Sequence, residues 1–406
     1  MNNTLPAHRK AMPLAHRYHE AAMSLLPLIE AEAAAGEQLN HQTDRAAAAV
    51  REAGLYDLLK PREVGGPELS YIDAIRTIEQ LSHADGSAGW CVMVNAVISA
   101  SVGAFLPDEG CAEIFGDGPD VTFAGQGVPS GFAEPVEGGY RVKGHWSYGS
   151  AVYHADWIHS GCFVTKDGQM TFDSSGNPRI VIIQHPKDSI ELKGNWDVHG
   201  LRATGSFDYA LKDTEIFVSE ALTYDSNGPQ QHRGGIQYNA DRPVSVACGH
   251  TGWVLGVTRR ALDELAQLAT SRKDVFGIMS DGPHFKLRYA DAEAKFGAAR
   301  AFAYEVWSEL CDGFDRGEAG TLQQIARVRL AMRHAHNVAS EVGTFAHIAS
   351  RGVSLRSSVL QRCYRDIHAG TQHLLLADEI VAECGTALMG AAPEGSRWGM
   401  FGLVTD

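Results

Sequence analysis

Gly139-Tyr140-Arg141-Val142-Lys143-Gly144-His145-Trp146-Ser147-Tyr148-Gly149-Ser150, followed by Tyr153-His154-Ala155-Asp156-Trp157, is the stretch on which the fold turns. Gly138-Gly139 in front of it has the composition of a hairpin turn, and 140–142 is short and β-rich. Similar runs lie at 121–123, 157–163, 180–184 and 216–218, separated by Gly, Asp, Asn and Pro. The run Gly125-Gln126-Gly127-Val128-Pro129-Ser130-Gly131 lacks the spacing of a dinucleotide fingerprint and carries Pro where a helix would begin, so it reads as a loop or strand end. The pattern becomes β-rich after Pro119, and residues 119–225 are expected to form a small β domain.

On the N-terminal side, apolar residues recur at helical spacing: Leu14, Leu25, Leu26, Leu28, Ile29, Ala46, Val50 and Leu55. Gly54 is a plausible C-cap, the segment from Lys60-Pro61 to Gly66-Pro67 cannot continue a helix, and a further helical pair runs to about Leu106. On the C-terminal side a polar, turn-rich segment, 219–241, precedes four long amphipathic patterns at 245–270, 286–314, 321–350 and 359–388. Four such helices make a bundle. The expected class is α+β, with an N-terminal helical domain (1–118), a central β-barrel or sandwich (119–225) and a C-terminal four-helix bundle (226–406).

Composition narrows the function. The chain of 406 residues has a formal net charge of -14, which argues against a nucleic-acid partner. The apolar stretch 91–106 is too short to span a bilayer, and the polar start, 1–17, lacks the pattern of a signal peptide; a cytoplasmic location is expected, with no membrane partner. Seven scattered cysteines without a CxxC argue against a disulfide framework and a zinc site. No Gly-Lys dipeptide occurs, which disfavours a Walker loop, and no Glu-x-x-His occurs, which disfavours a di-iron bundle.

The stretch 139–157 resembles the flavin-facing segment of the acyl-CoA dehydrogenase superfamily. A second segment, Trp196-Asp197-Val198-His199-Gly200-Leu201-Arg202-Ala203-Thr204-Gly205-Ser206, is similar to a strand pair of that superfamily, as are Glu52-Ala53-Gly54-Leu55, Gly65-Gly66 and the run Leu81 to Trp90. The resemblance covers roughly the whole chain. It implies flavin contacts at Trp146, Ser147, Ser150, Thr204 and Ser206. Arg272, in Ser271-Arg272-Lys273-Asp274-Val275-Phe276-Gly277, resembles a loop that reaches a neighbouring subunit's flavin, which implies a homotetramer.

A dehydrogenase of this superfamily needs a carboxylate base above the flavin. Aligning Arg365-Asp366 with the pattern of such enzymes puts Leu374 at that position, and aligning Gly370-Thr371 puts Ala369 there. His373, eight residues after Arg365, is instead placed as in the flavin monooxygenases that resemble p-hydroxyphenylacetate hydroxylase, dibenzothiophene monooxygenase and the secosteroid hydroxylase.

That resemblance implies the oxygenase component of a two-component system. Reduced FAD or FMN would arrive by diffusion from an NAD(P)H-dependent flavin reductase and react with O2. The C4a-hydroperoxyflavin so formed would oxygenate a small aromatic or heteroaromatic compound, phenol- or indole-like. His373 and Ser150 are the expected catalytic residues, an imidazole being suited to hydrogen bonding or proton relay near neutral pH. Trp90, Asn95, Ile98 and His368 are the candidates for the substrate pocket. Ile98 stands where some relatives carry a second histidine; a mechanism that deprotonates a phenol would lack that group, an intrinsically nucleophilic ring such as indole would manage without it, and the substrate class stays broad. On one continuous helix His368 would point about 140° away from His373, and it takes a secondary place. Two other readings remain open: a flavin dehydrogenase or oxidase of acyl-CoA or nitroalkane type, and a helical scaffold that has lost its flavin site.

Overall fold

The computed structural model describes residues 13–405 except 117, 119, 175, 241 and 276. Residues 1–12 of the N-terminal segment, Pro119 and Asp241 at the expected boundaries, and Phe276 of the Arg272 loop lie outside the described residues.

The chain opens with α1 (Leu14–Leu39), which stops at Asn40 in the left-handed conformation, and α2 (Asp44–Glu52), whose N-cap Thr43 accepts the Ala46 N–H. Gly54 follows α2 with φ +69°, a conformation that side chains other than glycine rarely adopt. Next come α3 (Tyr71–Ala84), capped by Ser70, α4 (Gly86–Phe105), capped by Asp85, and α5 (Asp108–Phe115). By length and composition α4 could cross a bilayer, and it is longer than the apolar stretch predicts because its first turn contains Gly, Ser and Ala. Its most apolar window is 89% buried inside the protein, so it is the central helix of the N-terminal core.

Ten strands follow: β1 (Phe123–Val136), β2 (Gly139–Lys143), β3 (His145–Gly149), β4 (Trp157–Lys166), β5 (Gln169–Met170), β6 (Ile180–Pro186), β7 (Ile190–Leu192), β8 (Phe207–Leu211), β9 (Ile216–Ser219) and β10 (Thr223–Asp225). They form a large sheet in the order β10-β6-β4-β1-β2-β9, with β5 on β4, and a small sheet β3-β8-β7. Only β1 and β4 pair in parallel among the strands of these two sheets. The glycine run 125–131 is not a loop: it lies within β1, where the pairing with β4 slips between Gln126 and Gly131. A Cβ on Gly131 would come within 2.3 Å of the Trp146 ring, so glycine is what lets the two sheets close around that indole.

The C-terminal part contains α6 (Arg242–Ser271), α7 (Pro283–Asp315), α8 (Leu322–Ser350), α9 (Val359–Gly370) and α10 (Asp378–Leu388), with two short hairpins, Lys273–Asp274 with Gly277–Ile278 and Ser396–Trp398 with Leu403–Thr405. The fourth bundle helix is therefore not continuous over 359–388, as its amphipathic pattern predicts. α9 ends against Trp253, since a Cβ on Gly370 would lie 2.2 Å from that ring. The intervening segment is held by Arg333 of α8, which donates to the Leu376 carbonyl and to the Asp378 carboxylate.

Gly370→Ala is expected to lower stability by about 1–3 kcal/mol through overpacking against Trp253. Thermal unfolding followed by near-ultraviolet circular dichroism checks this; an unchanged midpoint would show that the indole does not pack there.

Candidate active site

Trp90, at the start of the second turn of α4, stands where all three parts of the chain meet. Its indole N–H donates to Ser150 Oγ at 3.2 Å, Ser150 Oγ lies 2.7 Å from Ser206 Oγ, and Ser206 Oγ lies 2.7 Å from Thr204 Oγ1. All four side chains are buried. Two loops bring the hydroxyls into one row. Ala151 and Leu201 both adopt left-handed backbone (φ 64° and 56°), and the Ala151 N–H donates to the Thr204 carbonyl at 2.9 Å.

The rest of the Trp90 indole is walled by rings. His250 and Trp253 of α6 meet it edge-on, each at 5.0 Å between centroids, and His373 meets it at 6.0 Å. His250 and His373 are 4.1 Å apart, and His336 of α8 lies 5.5 Å from His250. His250 and Trp253 belong to no motif in the sequence, and their i,i+3 placement on an apolar helix is the one available signal. Burial drives all three imidazoles below the ordinary histidine range, His336 and His373 to about 4 and His250 well below its ordinary value, so the cluster is uncharged at neutral pH. His373 sits on the break after α9 rather than on a helix, so the angular separation from His368 expected above does not apply.

Asp366 holds these loops to the bundle. Its buried carboxylate accepts the Leu201 N–H at 2.6 Å, while Arg365 next to it donates to the His199 carbonyl at 2.9 Å and to Glu37 at 2.6 Å. The Arg365 carbonyl packs so tightly on Gly200 that a Cβ there would lie 2.1 Å away. Arg362, one turn earlier, pairs at 3.3 Å with Asp85, the cap of the helix that carries Trp90. Burial, with Asp85 close by, raises the Asp366 carboxyl to about 7.

Of the candidates read from sequence, Trp90, Ser150, Thr204, Ser206 and His373 converge. Trp146 does not: it is fully enclosed between the two sheets, donating to the Gly161 carbonyl at 2.7 Å and stacking on Tyr209, because alternation along β3 turns it inward. Ser147, its neighbour, faces the other way and is partly exposed. Asn95 is committed to structure, donating to the Cys91 carbonyl and accepting the Phe123 N–H, which ties α4 to β1. Ile98 is buried in α4, about 12 Å along the helix from Trp90. His368 meets Tyr364 and Thr344 instead of Trp90. Arg272 donates to the Ser350 carbonyl of its own chain, about 33 Å along α6 from His250.

An isoalloxazine ring requires hydrogen-bond partners at its polar edge and an apolar face. The hydroxyl row with the Trp90 N–H offers the first, and the indole and imidazole wall offers the second, so the residues fit a flavin. Among the described residues no group of three or more His, Cys, Asp or Glu is arranged to hold a metal ion.

Helical domain, β sandwich and helical bundle, with a polar and aromatic junction between them, define the architecture of acyl-CoA dehydrogenase-like flavoenzymes. Residues 248–378 match the family described as Acyl-CoA dehydrogenase, C-terminal domain. The chain is 33% identical to an indole-3-acetate monooxygenase of Pseudomonas putida, over 85% of this chain and 86% of that protein. Its fold is similar to the crystal structure of the HsaA monooxygenase from M. tuberculosis (TM-score 0.84, 24% identity, 93% of this chain and 98% of that one). It is also similar to XiaF from Streptomyces sp. in complex with FADH2 and glycerol (TM-score 0.81, 22% identity, 94% of this chain and 97% of that one). The chain belongs to the acyl-CoA dehydrogenase superfamily, in its group of flavin-dependent monooxygenases that work as oxygenase components of two-component systems.

Asp366→Ala is expected to destabilise by about 1–3 kcal/mol, since the buried Leu201 N–H loses its acceptor, whereas Asp366→Asn keeps one. The wild-type carboxyl titrates higher folded than unfolded, so its contribution is fully present below the unfolded value near 4 and is lost as pH rises through about 7. Asp366→Asn therefore gains on the wild type between pH 5 and pH 8. Urea unfolding at both pH values tests this, and a constant difference would contradict it.

Proposed function

We infer that this oxygenase acts on an electron-rich heteroaromatic compound of indole type, taking reduced FAD or FMN from a separate NAD(P)H-dependent reductase. The observation that carries the reading is the composition of the junction: neutral imidazole of His373, indole of Trp90 and the hydroxyls of Ser150, Ser206 and Thr204. Leu374 and Ala369 stand at the two positions where the superfamily's dehydrogenase pattern would put its base. When bound, reduced flavin supplies the electrons that activate O2, so that one oxygen atom reaches the substrate and the other leaves as water.

The chain's own residues set the conditions. Ser150, held by Trp90 and Ser206, would offer a fixed hydroxyl to the polar edge of a bound flavin. His373, whose Nδ1 accepts the Leu375 N–H at 3.3 Å, carries its proton on Nε2 when neutral and can offer it as a donor to reacting oxygen. Burial of the junction excludes water, which limits loss of oxidising equivalents as hydrogen peroxide. The P. putida relative, an indole-3-acetate monooxygenase, supports an indole-like ring. A homotetramer in the cytoplasm goes with this reading.

Anaerobic titration should show saturable binding of reduced FMN or FAD and weaker binding of the oxidised form. His373→Ala and Ser150→Ala should still bind reduced flavin, but their rate of product formation should fall by about 10²–10⁴-fold as oxygen consumed is diverted to peroxide. Direct reduction of bound oxidised flavin by an acyl-CoA or nitroalkane would instead support the dehydrogenase or oxidase reading.

A further inference from the structure

The hydroxyl row of Thr204, Ser206 and Ser150 has a direction as well as an order. Thr204 Oγ1 lies 2.8 Å from the Leu201 carbonyl oxygen, and a carbonyl only accepts, so the one hydroxyl proton of Thr204 is committed there. Ser206, 2.7 Å from Thr204 Oγ1, must then be the donor of that pair, and Ser150, 2.7 Å from Ser206 Oγ, the donor of the next. The opposite direction would set the Thr204 and Leu201 oxygens face to face at 2.8 Å with no proton between them. All three hydroxyls are buried, so bulk water does not compete for their protons.

The end of the row at the junction is fixed too. An indole N–H only donates, and that of Trp90 goes to Ser150 Oγ at 3.2 Å. Ser150 therefore takes a proton contact from Trp90 and gives its own proton to Ser206. Of its two lone pairs one remains, so toward a ligand Ser150 offers an acceptor and no donor. At the far end, Asp366 accepts the Leu201 N–H at 2.6 Å, which ties to the bundle the residue whose carbonyl sets the direction.

We propose that Thr204, acting through Ser206, is the positioning residue that selects the oxidation state of the flavin: it draws the Ser150 proton away from the junction and leaves a lone pair that pairs with a protonated ring nitrogen of reduced flavin. Reduction puts a proton on ring nitrogens of the isoalloxazine that carry lone pairs in the oxidised form. Against oxidised flavin the Ser150 lone pair faces another lone pair, and the contact is lost. The identity of the ligand rests on the oxygenase reading, whereas the direction of the row rests on hydrogen bonds within the chain.

The test is anaerobic titration of the full chain with reduced and with oxidised FMN and FAD, giving a dissociation constant for each form. Wild type, Thr204→Val, Thr204→Ser and Ser206→Ala are compared. In Thr204→Val nothing holds the row in one direction, and Ser150 is free to turn its proton outward. Oxidised flavin should then bind more tightly than it does to the wild type. The preference for the reduced form should fall by about tenfold, equal to a drop of about 30 mV in the midpoint potential of the bound flavin. Ser206→Ala, which removes the acceptor of the Ser150 proton, should do the same, and Thr204→Ser, which keeps the hydroxyl, should retain the wild-type preference. A purely structural role would weaken both forms together. Equal weakening of both forms, or an unchanged ratio, in Thr204→Val and Ser206→Ala would overturn the proposal, and Ser206→Ala decides it if Thr204→Val does not fold. A wild type that binds neither form would overturn the oxygenase reading and the proposal with it. A wild type that prefers reduced flavin, with variants that keep that preference, would overturn the proposal alone.

Discussion

The Asp366 carboxylate fixes the relation between the β domain and the helices. It is buried, it accepts one backbone N–H from the loop that carries Thr204 and Ser206, and it sits one turn from the arginine that pairs with the cap of α4. A carboxylate placed so deeply is costly, and burial, with Asp85 nearby, raises its pKa. The loop 199–206 contains a single short turn, and Asp366 and Arg365 tie it to the bundle while Ala151, Gln42 and Asn40 tie it to the β domain and the first helices. With the loop in place, Ser206 reaches Ser150 and Ser150 reaches Trp90. Without it, the hydroxyls that would meet a flavin are separate side chains on separate segments.

The second constraint is the break in the fourth bundle helix. Trp253 fills the volume that an uninterrupted α9 would need, and the chain leaves the helix at Gly370. His373 is thereby swung against Trp90 and His250 instead of being spaced around a helix. The outcome is a site without charge at its centre: indoles, hydroxyls and neutral imidazoles, with the ionised groups kept one layer back. Such a lining suits chemistry in which an aromatic ring is oxygenated and water is unwelcome. It is less suited to drawing a proton from beside an acyl thioester, which calls for a carboxylate base.

Much of this was legible in the sequence where it depended on local order. The helical, β, helical succession followed from periodicity, and short motifs pointed to Ser150, Thr204, Ser206 and His373, which the structure brings together. What depended on three-dimensional packing was not legible. Trp146 lies in the same motif as Ser150, but strand alternation turns it into the sandwich, and only the pairing of β3 with β8 reveals this. Asn95 reads from sequence as a pocket residue, but its amide joins α4 to β1. The amphipathic pattern of 359–388 continues through the break, because the cause of the break is a ring on another helix. His250 gave no motif at all; its meaning comes from the company of His336 and His373.

The central claim, that this junction supports transfer of oxygen from O2 to an aromatic ring, is tested most directly by isotope labelling. Turnover of indole with reductase, NADH and flavin under ¹⁸O2 in unlabelled water, followed by mass spectrometry of the product, gives the origin of the inserted atom. The account predicts one ¹⁸O atom per product molecule and no product without O2. Unlabelled product, or turnover that persists without oxygen, would contradict it.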